Sequence, residues 1–481
     1  MKKSIVISNM LWRFFERTGA HIVSTVVSII LARLLSPSDY GTIALVTVFL
    51  NIMQVFIDSG LGTALIQKKN PDDLDYSSVF FFNLLVCIVL YILMFLSSPL
   101  IASLYNQQSL IPVIRVISLT LLISGIKNIQ QAYVSKNMLF KKFFYATIIG
   151  TIISALLGIS FAYLGFGIWA LVIQQLSNSF IDTIVLWITV KWRPKFVFSI
   201  KRLKSLYSFG WKLLFSSLLS AFYSNIRSLV IGKKYAAEDL AYYNQGDKFP
   251  RLIVSNINAS IDSVLLPTLV SINDDDRILQ SAMKKAITVS TYIMAPIMLG
   301  MVACADSLIL LMLTEKWIEC VPYLRVFCIS YLFWPIHTAN LNAINSIGRS
   351  DIFLKLEIIK KIIGCVILIL TMQIGPFAIA CGVLASDMID LIVNSWPNRN
   401  LIHYGLVNQI KDILPSILLA VGMGTVVYLI GFISLPTLPL LFIQVICGGM
   451  IYIMGSALLK LEPYEYLIGI IKPMIQNRRK V

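Results

Sequence analysis

The sequence predicts an all-α polytopic membrane protein: about 14 transmembrane helices, arranged as two parallel six-helix lobes with two further helices at the C-terminal end. Composition is the first observation behind this. The 481 residues are 57% hydrophobic and 13% charged, whereas a soluble domain averages about 25% charged. Span length is the second. A crossing needs roughly 20 mostly apolar residues, and such runs recur from end to end, continuous rather than alternating as barrel strands do. Charge placement is the third. Of 40 Lys and Arg, 29 fall on one set of loops and ends and only four (Arg33, Lys233, Lys234, Lys316) on the other. That asymmetry predicts both termini on the cytoplasmic side. The net charge of +16 is therefore read as topology, and no nucleic-acid partner is expected.

Span 1 (11–35) opens on a polar stripe: Arg13, Glu16 and Arg17, with His21 one turn on. These charges interrupt any early apolar core, so no cleaved signal peptide is read. Two readings of the stripe stay open, an amphipathic cytoplasmic start to the helix and a cationic inner entrance to a cavity. Span 2 (40–67) follows Ser36-Pro37-Ser38-Asp39-Tyr40-Gly41. There Ser38 or Asp39 is placed to accept from the free N–H groups opening the helix, and Gly41 allows close helix approach. Spans 3 (77–98) and 4 (110–134) precede spans 5 (143–164) and 6 (168–190), the last two parted by Gly165-Phe166-Gly167, a turn signal. Spans 7 (208–231) and 8 (241–270) come next, and the DDDR run at 274–277 reads as a solvated turn before span 9 (286–313). Spans 10 (323–347), 11 (352–374) and 12 (376–396) follow, with Gly375-Pro376 between the last two, then spans 13 (412–433) and 14 (438–459). The tail NRRK, 477–480, reads as an anchor to anionic lipid.

An internal repeat organises these spans. Residues 29–43, IILARLLSPSDYGTI, align at an offset of 200 with 229–243, LVIGKKYAAEDLAYY. Arg33 meets Lys233, Asp39 meets Asp239 and Gly41 meets Ala241. Six spans per copy give parallel repeats, a transporter architecture whose site is expected between the halves near the midplane. The domains predicted are an N-terminal lobe over 1–190, a basic cytoplasmic linker over 191–206, a second lobe over 207–398, and helices 13 and 14 with a basic tail over 399–481.

Charges inside the spans are the candidate functional residues, because ionisable groups within a membrane face a cavity or the bundle interior. Lys248 and Arg251, three apart in YYNQGDKFPRL (242–252), share a helical face. Two readings stay open for them, a polar cavity or snorkelling to the headgroups. Pro250 removes a backbone donor and is placed to kink the helix. Arg227 lies near the outer end of span 7. Asp58, Asp182 and Asp262, with Glu16, are candidates for proton or sodium coupling, against the alternative of ordinary pairing with intramembrane bases; Asp387 and Asp390 are candidates too, or else approach the cytoplasmic end of span 12. The seven cysteines form no C-x-x-C pair and the three histidines no cluster, so neither a disulfide framework nor a metal site is read. No nucleophile triad or phosphate loop is present, and no enzyme is read.

The segment LARLLSPSDYGTIALV (31–46), with its Leu-x-Pro-x-Asp-Tyr-Gly signature, resembles polysaccharide flippases of the Wzx type, in the multidrug/oligosaccharidyl-lipid/polysaccharide exporter superfamily. YYNQGDKFPRLIVSNINASI (242–261) is similar to the matching segment in the branch of the colanic-acid and teichuronic-acid exporters. The resemblance implies a V-shaped two-lobed exporter fold. It implies translocation of undecaprenyl-diphosphate-linked oligosaccharide across the inner membrane by alternating access, with membrane lipids, a polysaccharide polymerase and its chain-length machinery as partners. For such a diphosphate, Arg offers a forked donor set and Lys a movable charge, which makes Lys248, Arg251, Arg227, Arg17 and Arg13 the expected substrate-handling residues. Tyr223, Tyr242, Tyr243 and Phe249 are aromatic candidates for stacking on sugars, or else packing residues. The rival functions are cation-coupled drug efflux on the same fold, lipid II flipping, and a membrane glycosyltransferase or polymerase, the last opposed by short predicted outer loops.

Overall fold

In the computed structural model, described over residues 3–58, 60–272 and 275–478, the chain is helical throughout and divides into two compact units, Met1–Ala241 and Tyr242–Val481. The first unit holds α1 (Lys3–Leu34), α2 (Pro37–Asp58), α3 (Leu61–Gln67), α4 (Asp73–Leu104), α5 (Leu110–Ile117), α6 (Leu119–Lys136), α7 (Phe140–Tyr163), α8 (Ile168–Thr189) and α9 (Ile200–Lys234). It also takes the first turn of α10 (Ala237–Ser271), whose remainder opens the second unit. There follow α11 (Asp276–Ala303), α12 (Ala305–Met312), a 3-10 turn (Glu315–Cys320), α13 (Val321–Tyr331) and α14 (Trp334–Ser346). Last come α15 (Ser350–Thr371), α16 (Pro376–Leu401), α17 (Leu406–Ile430), α18 (Thr437–Leu458) and α19 (Glu462–Arg478). Asp274 of the predicted 274–277 turn and residues 479–481 of the basic tail lie outside the described residues.

Each of the fourteen predicted runs coincides with a helix or a pair of helices. Eleven of these elements are long and apolar enough to cross a membrane, and the chain is a multi-pass membrane protein. Large apolar side chains such as Leu96, Leu156, Ile188 and Leu458 point outward, as a lipid-facing surface permits. Four runs read as continuous are interrupted: at Gly60, Ser118, Cys304 and Leu332–Phe333. Gly60, Ser118, Cys304 and Leu332 are all buried. Gly60 takes a φ of 72° beside the Gly210 backbone, a conformation glycine adopts without steric cost. Among the described residues, α19 and the 3-10 turn are the elements outside every predicted span; the polar residues of α19 and its Pro473 hide it from any search for spans.

The repeat is visible in the helix ends. α1 stops at Leu34 and α9 at Lys234; α2 starts at Pro37 and α10 at Ala237, the same offset of 200 in each case. Ser36, not Ser38, caps α2. Its Oγ accepts from the Asp39 N–H at 3.2 Å, and Asp39 Oδ2 accepts from the Ser36 N–H at 3.2 Å, a reciprocal box. In the second copy Ala236 has no acceptor to offer, and only the returning bond survives, Ala236 N–H to Asp239 Oδ2 at 3.1 Å. Gly41 lies so close to the first turn of α10 that a Cβ there would sit 1.7 Å from the Ala237 carbonyl oxygen.

The linker predicted at 191–206 is docked rather than loose. Trp192 inserts into a buried cluster with Tyr76, Phe80, Ile129 and Leu206. Its indole donates to Asp73 Oδ1 at 3.2 Å, and its carbonyl accepts from Gln130 Nε2 at 3.1 Å. Lys195 and Ser199 donate backbone N–H bonds to Ser77 and Ser78 of α4. The basic charges then meet the acidic start of α4: Lys195 pairs with Asp73, and Arg202 lies 3.4 Å from Asp72 and 3.6 Å from Asp75. Asp75 is fully buried, pairs with Lys68 and closes a capping box with Asp72. The Asp75 backbone N–H and Arg202 hold the Asp72 carboxyl below its ordinary value.

Asp75→Ala removes the buried partner of Lys68 and one side of the capping box. The expected cost is about 1–3 kcal/mol, read as a lower unfolding temperature of the detergent-purified protein and faster proteolysis within 191–206.

Candidate functional site

The predicted polar segment 242–252 lies on α10, which runs unbroken through Pro250. The helix is held against α13 by Gly246: a Cβ there would come within 2.6 Å of Tyr323 Cβ. That close approach brings Asp247 to Tyr331, whose hydroxyl donates to Asp247 Oδ1. The other carboxylate oxygen accepts from Arg251 Nε at 2.7 Å, one helical turn on. Asp247 is largely buried while the Arg251 side chain stays 57% exposed. Among the described residues nothing takes the two Nη groups of Arg251, so its donor fork is aimed by Asp247 and left open. The guanidinium also lies 5.8 Å from the Tyr331 ring centroid, within cation–π range. Lys248, half-buried, lies between them in sequence.

Tyr331 belongs to an aromatic column. It stacks on Phe327 at 6.1 Å and on Trp334 at 5.0 Å, while Tyr243 meets Phe327 edge-on at 5.2 Å. Of the aromatic residues named from sequence, Tyr243 is thus packed in the interior of the second unit. Trp334 continues into a cavity of about 510 Å³ between α10, α14 and α15, lined also by Ser255, Asn258, Asp262, Asn342 and Asn345. The first unit has a cavity of about 310 Å³ between α2, α6 and α8. Amides and hydroxyls line it, among them Asn51, Gln54, Ser124, Gln174 and Asn178, with no ionisable group.

The other sequence-predicted residues separate by environment. Asp182 (α8) is engaged by Lys127 (α6) at 2.9 Å, both side chains less than 20% exposed. Asp58, exposed at the end of α2, accepts from Gln54 at 3.2 Å and from Asn128 of α6 at 3.0 Å. Asp262 of α10 accepts from Asn342 of α14 at 2.7 Å. The pairing therefore recurs between spans 2 and 4 and between spans 8 and 10, the corresponding members of the repeat. Asp387 accepts from Ser330. Arg227 belongs to the first unit, its guanidinium 5.4 Å from the Tyr223 ring. Arg13, Glu16 and Arg17 fall on α1, and their side chains lie outside the described residues.

Asp247 stands out from sequence only as one of three charges in the 242–252 stretch, and Tyr331, Trp334 and Asn342 are not marked there at all. The Asp247/Arg251 spacing of four was a readable signal for an ion pair on one helix face. The other three join the site only through α13 and α14, and no local pattern marks them.

Comparison with known proteins bears on what such a site handles. The family described as polysaccharide biosynthesis protein matches residues 30–322, more than half of the chain. The teichuronic acid biosynthesis protein TuaB of Bacillus subtilis (strain 168) is 24% identical over 384 residues, 78% of each chain. The lipopolysaccharide biosynthesis protein WzxC of Escherichia coli (strain K12) is 24% identical over 374 residues, 76% of this chain and 75% of the relative. Among solved structures, the lipid II flippase MurJ in an inward closed conformation superposes with a TM-score of 0.76 at 18% identity. That match spans 96% of this chain and 100% of the other, a likeness of fold.

The Lys127–Asp182 pair is expected to act through stability. Lys127→Met strands a carboxylate and costs about 3–5 kcal/mol, and adding Asp182→Leu recovers most of it. Thermal unfolding of the single and double variants measures this.

Proposed function

Because the chain belongs to the polysaccharide biosynthesis protein family, we propose that it is a flippase for undecaprenyl-diphosphate-linked oligosaccharide repeat units in surface polysaccharide synthesis. It sits in the bacterial cytoplasmic membrane with both termini inside, as the asymmetry of its basic residues supports, and works by alternating access between its two six-helix halves. The observation that carries this reading is Arg251. It is a guanidinium on a helix long and apolar enough to cross the membrane, oriented by Asp247 and with both Nη groups open among the described residues. A diphosphate presents acceptor oxygens spaced for such a fork, and Lys248 adds a second cation on the same helix. The polyprenyl tail stays in the bilayer while the hydrated head moves. Repeat units delivered to the outer leaflet pass to a polysaccharide polymerase and its chain-length machinery.

The driving force follows from charge. An anionic head moving outward runs with an inside-negative potential, worth about 2.3 kcal/mol per charge per 100 mV. Asp182 is already neutralised by Lys127, whereas Asp58 is exposed and held by uncharged amides. We therefore assign proton or sodium coupling, where it operates, to Asp58. Asp58→Asn is expected to leave binding of the lipid-linked head intact and to abolish the response of transport in proteoliposomes to an imposed pH or sodium gradient. An unchanged response removes Asp58 from this role.

Deleting the gene is expected to deplete surface polysaccharide and to accumulate lipid-linked repeat units, both measured by mass spectrometry of cell extracts. Unchanged glycolipid and polysaccharide in a strain without a second exporter contradicts the proposal. Arg251→Ala is expected to reproduce the deletion while the protein still inserts, and Arg251→Lys to restore part of the transport, since charge returns without the fork.

A further inference from the structure

We propose that the cavity between α10, α14 and α15 is a saccharide-recognition subsite for an uncharged, hydroxyl-rich sugar, with Trp334 as its stacking platform and the Asp262–Asn342 pair as its hydroxyl-binding group. The inference rests on the flippase reading and adds to it a separate place, and a chemistry, for part of the head group.

The lining decides the ligand class. A sugar ring offers a weakly polar C–H face and a rim of hydroxyls that donate and accept. Trp334 supplies a broad apolar surface, held in place by its stack on Tyr331, where an indole is a favourable anchor at low entropic cost. The rim is met by Ser255, Asn258, Asn342 and Asn345, with the Asp262 carboxylate among them. Asp262 Oδ1 is occupied by Asn342 Nδ2 at 2.7 Å, which fixes both groups, and each retains acceptor capacity for hydroxyl protons.

Charge excludes the alternatives. The cavity lining holds no Lys, Arg or His and one carboxylate, so neither a diphosphate nor a uronic acid suits it. Its volume of about 510 Å³ falls within the range of small-molecule sites, about 300–1,000 Å³, and its polar side chains share the lining with Trp334, Leu266, Leu341 and Phe353, the mixture that a sugar with one C–H face and a hydroxyl rim requires. Its position fits a head group read in sequence. Arg251 and Ser255 are one turn apart, about 6 Å along the helix axis, and Asn258 and Asp262 follow further along α10. A phosphate on the Arg251 fork therefore leaves its attached saccharide at the mouth of the cavity.

The test uses full-length protein in nanodiscs and four probes titrated by microscale thermophoresis: farnesyl diphosphate, and farnesyl diphosphate bearing glucose, N-acetylglucosamine or galacturonic acid. The wild type is expected to bind at least one neutral glycosyl form about tenfold more tightly than farnesyl diphosphate, the worth of one or two good hydrogen bonds, and the galacturonosyl form no better than farnesyl diphosphate. Trp334→Ala and Asn342→Ala are expected to erase that advantage while farnesyl diphosphate binding persists, which also certifies their fold. Trp334→Phe is expected to retain most of it. Arg251→Ala is expected to weaken all four probes together. Equal binding of all four by the wild type, preference for the galacturonosyl form, or a sugar advantage that survives Trp334→Ala would overturn the subsite and leave the flippase reading standing. Failure of the wild type to bind any diphosphate lipid would overturn both.

Discussion

Hydrocarbon offers no hydrogen-bond partner, and most of the structure follows from that. Every backbone N–H and C=O that crosses the membrane has to be satisfied within the chain, so the runs are helices. The same constraint places the exceptions. Breaks in helical runs fall at Gly60, Ser118, Cys304 and Leu332, positions covered by protein. At Ser118 and Cys304 the ladder is carried across, with Ser118 N–H donating to Ile114 and Cys304 N–H to Gly300. Side chains obey it too. Lys127 and Asp182 meet each other, and Asn340 is hydrogen-bonded to both Asn398 and Gln409 inside the second unit.

Against that background an open donor is informative. Asp247 spends one oxygen on Tyr331 and the other on Arg251 Nε. It neutralises part of the guanidinium charge yet leaves the half of the fork that would meet a ligand. Such an arrangement positions Arg251 without consuming it, and it lowers the charge that an empty site must expose to an apolar medium. The Tyr243, Phe327 and Tyr331 rings give this pair a rigid backing, and rigidity in the supporting residues is what keeps a binding group aimed.

The acidic start of α4 shows a different use of charge. Asp72, Asp73 and Asp75 collect Lys68, Lys195 and Arg202, so basic residues counted as topology signals also fasten the 191–206 segment to the first unit. The residues that the sequence reads as topology signals thus also hold the first unit together. The two roles are compatible because the first depends on the sum of charges near the membrane and the second on where each side chain ends.

Hydropathy determined the class, the location of the helical runs and their lipid-facing character, since each depends only on local composition. The offset of 200 was legible as well, because the turn after the first span of each copy has its own chemistry, down to Asp39 and Asp239. Arg251 could be selected from its depth in an apolar run, and Asp247 from its spacing. What only tertiary structure decided is which charges are occupied and which are open. Lys127 and Asp182 are 55 positions apart, Asp262 and Asn342 80, and Asp247 and Tyr331 84. No pattern within one helix records such meetings, because a helix's sequence specifies which face is polar but not which neighbour that face will touch.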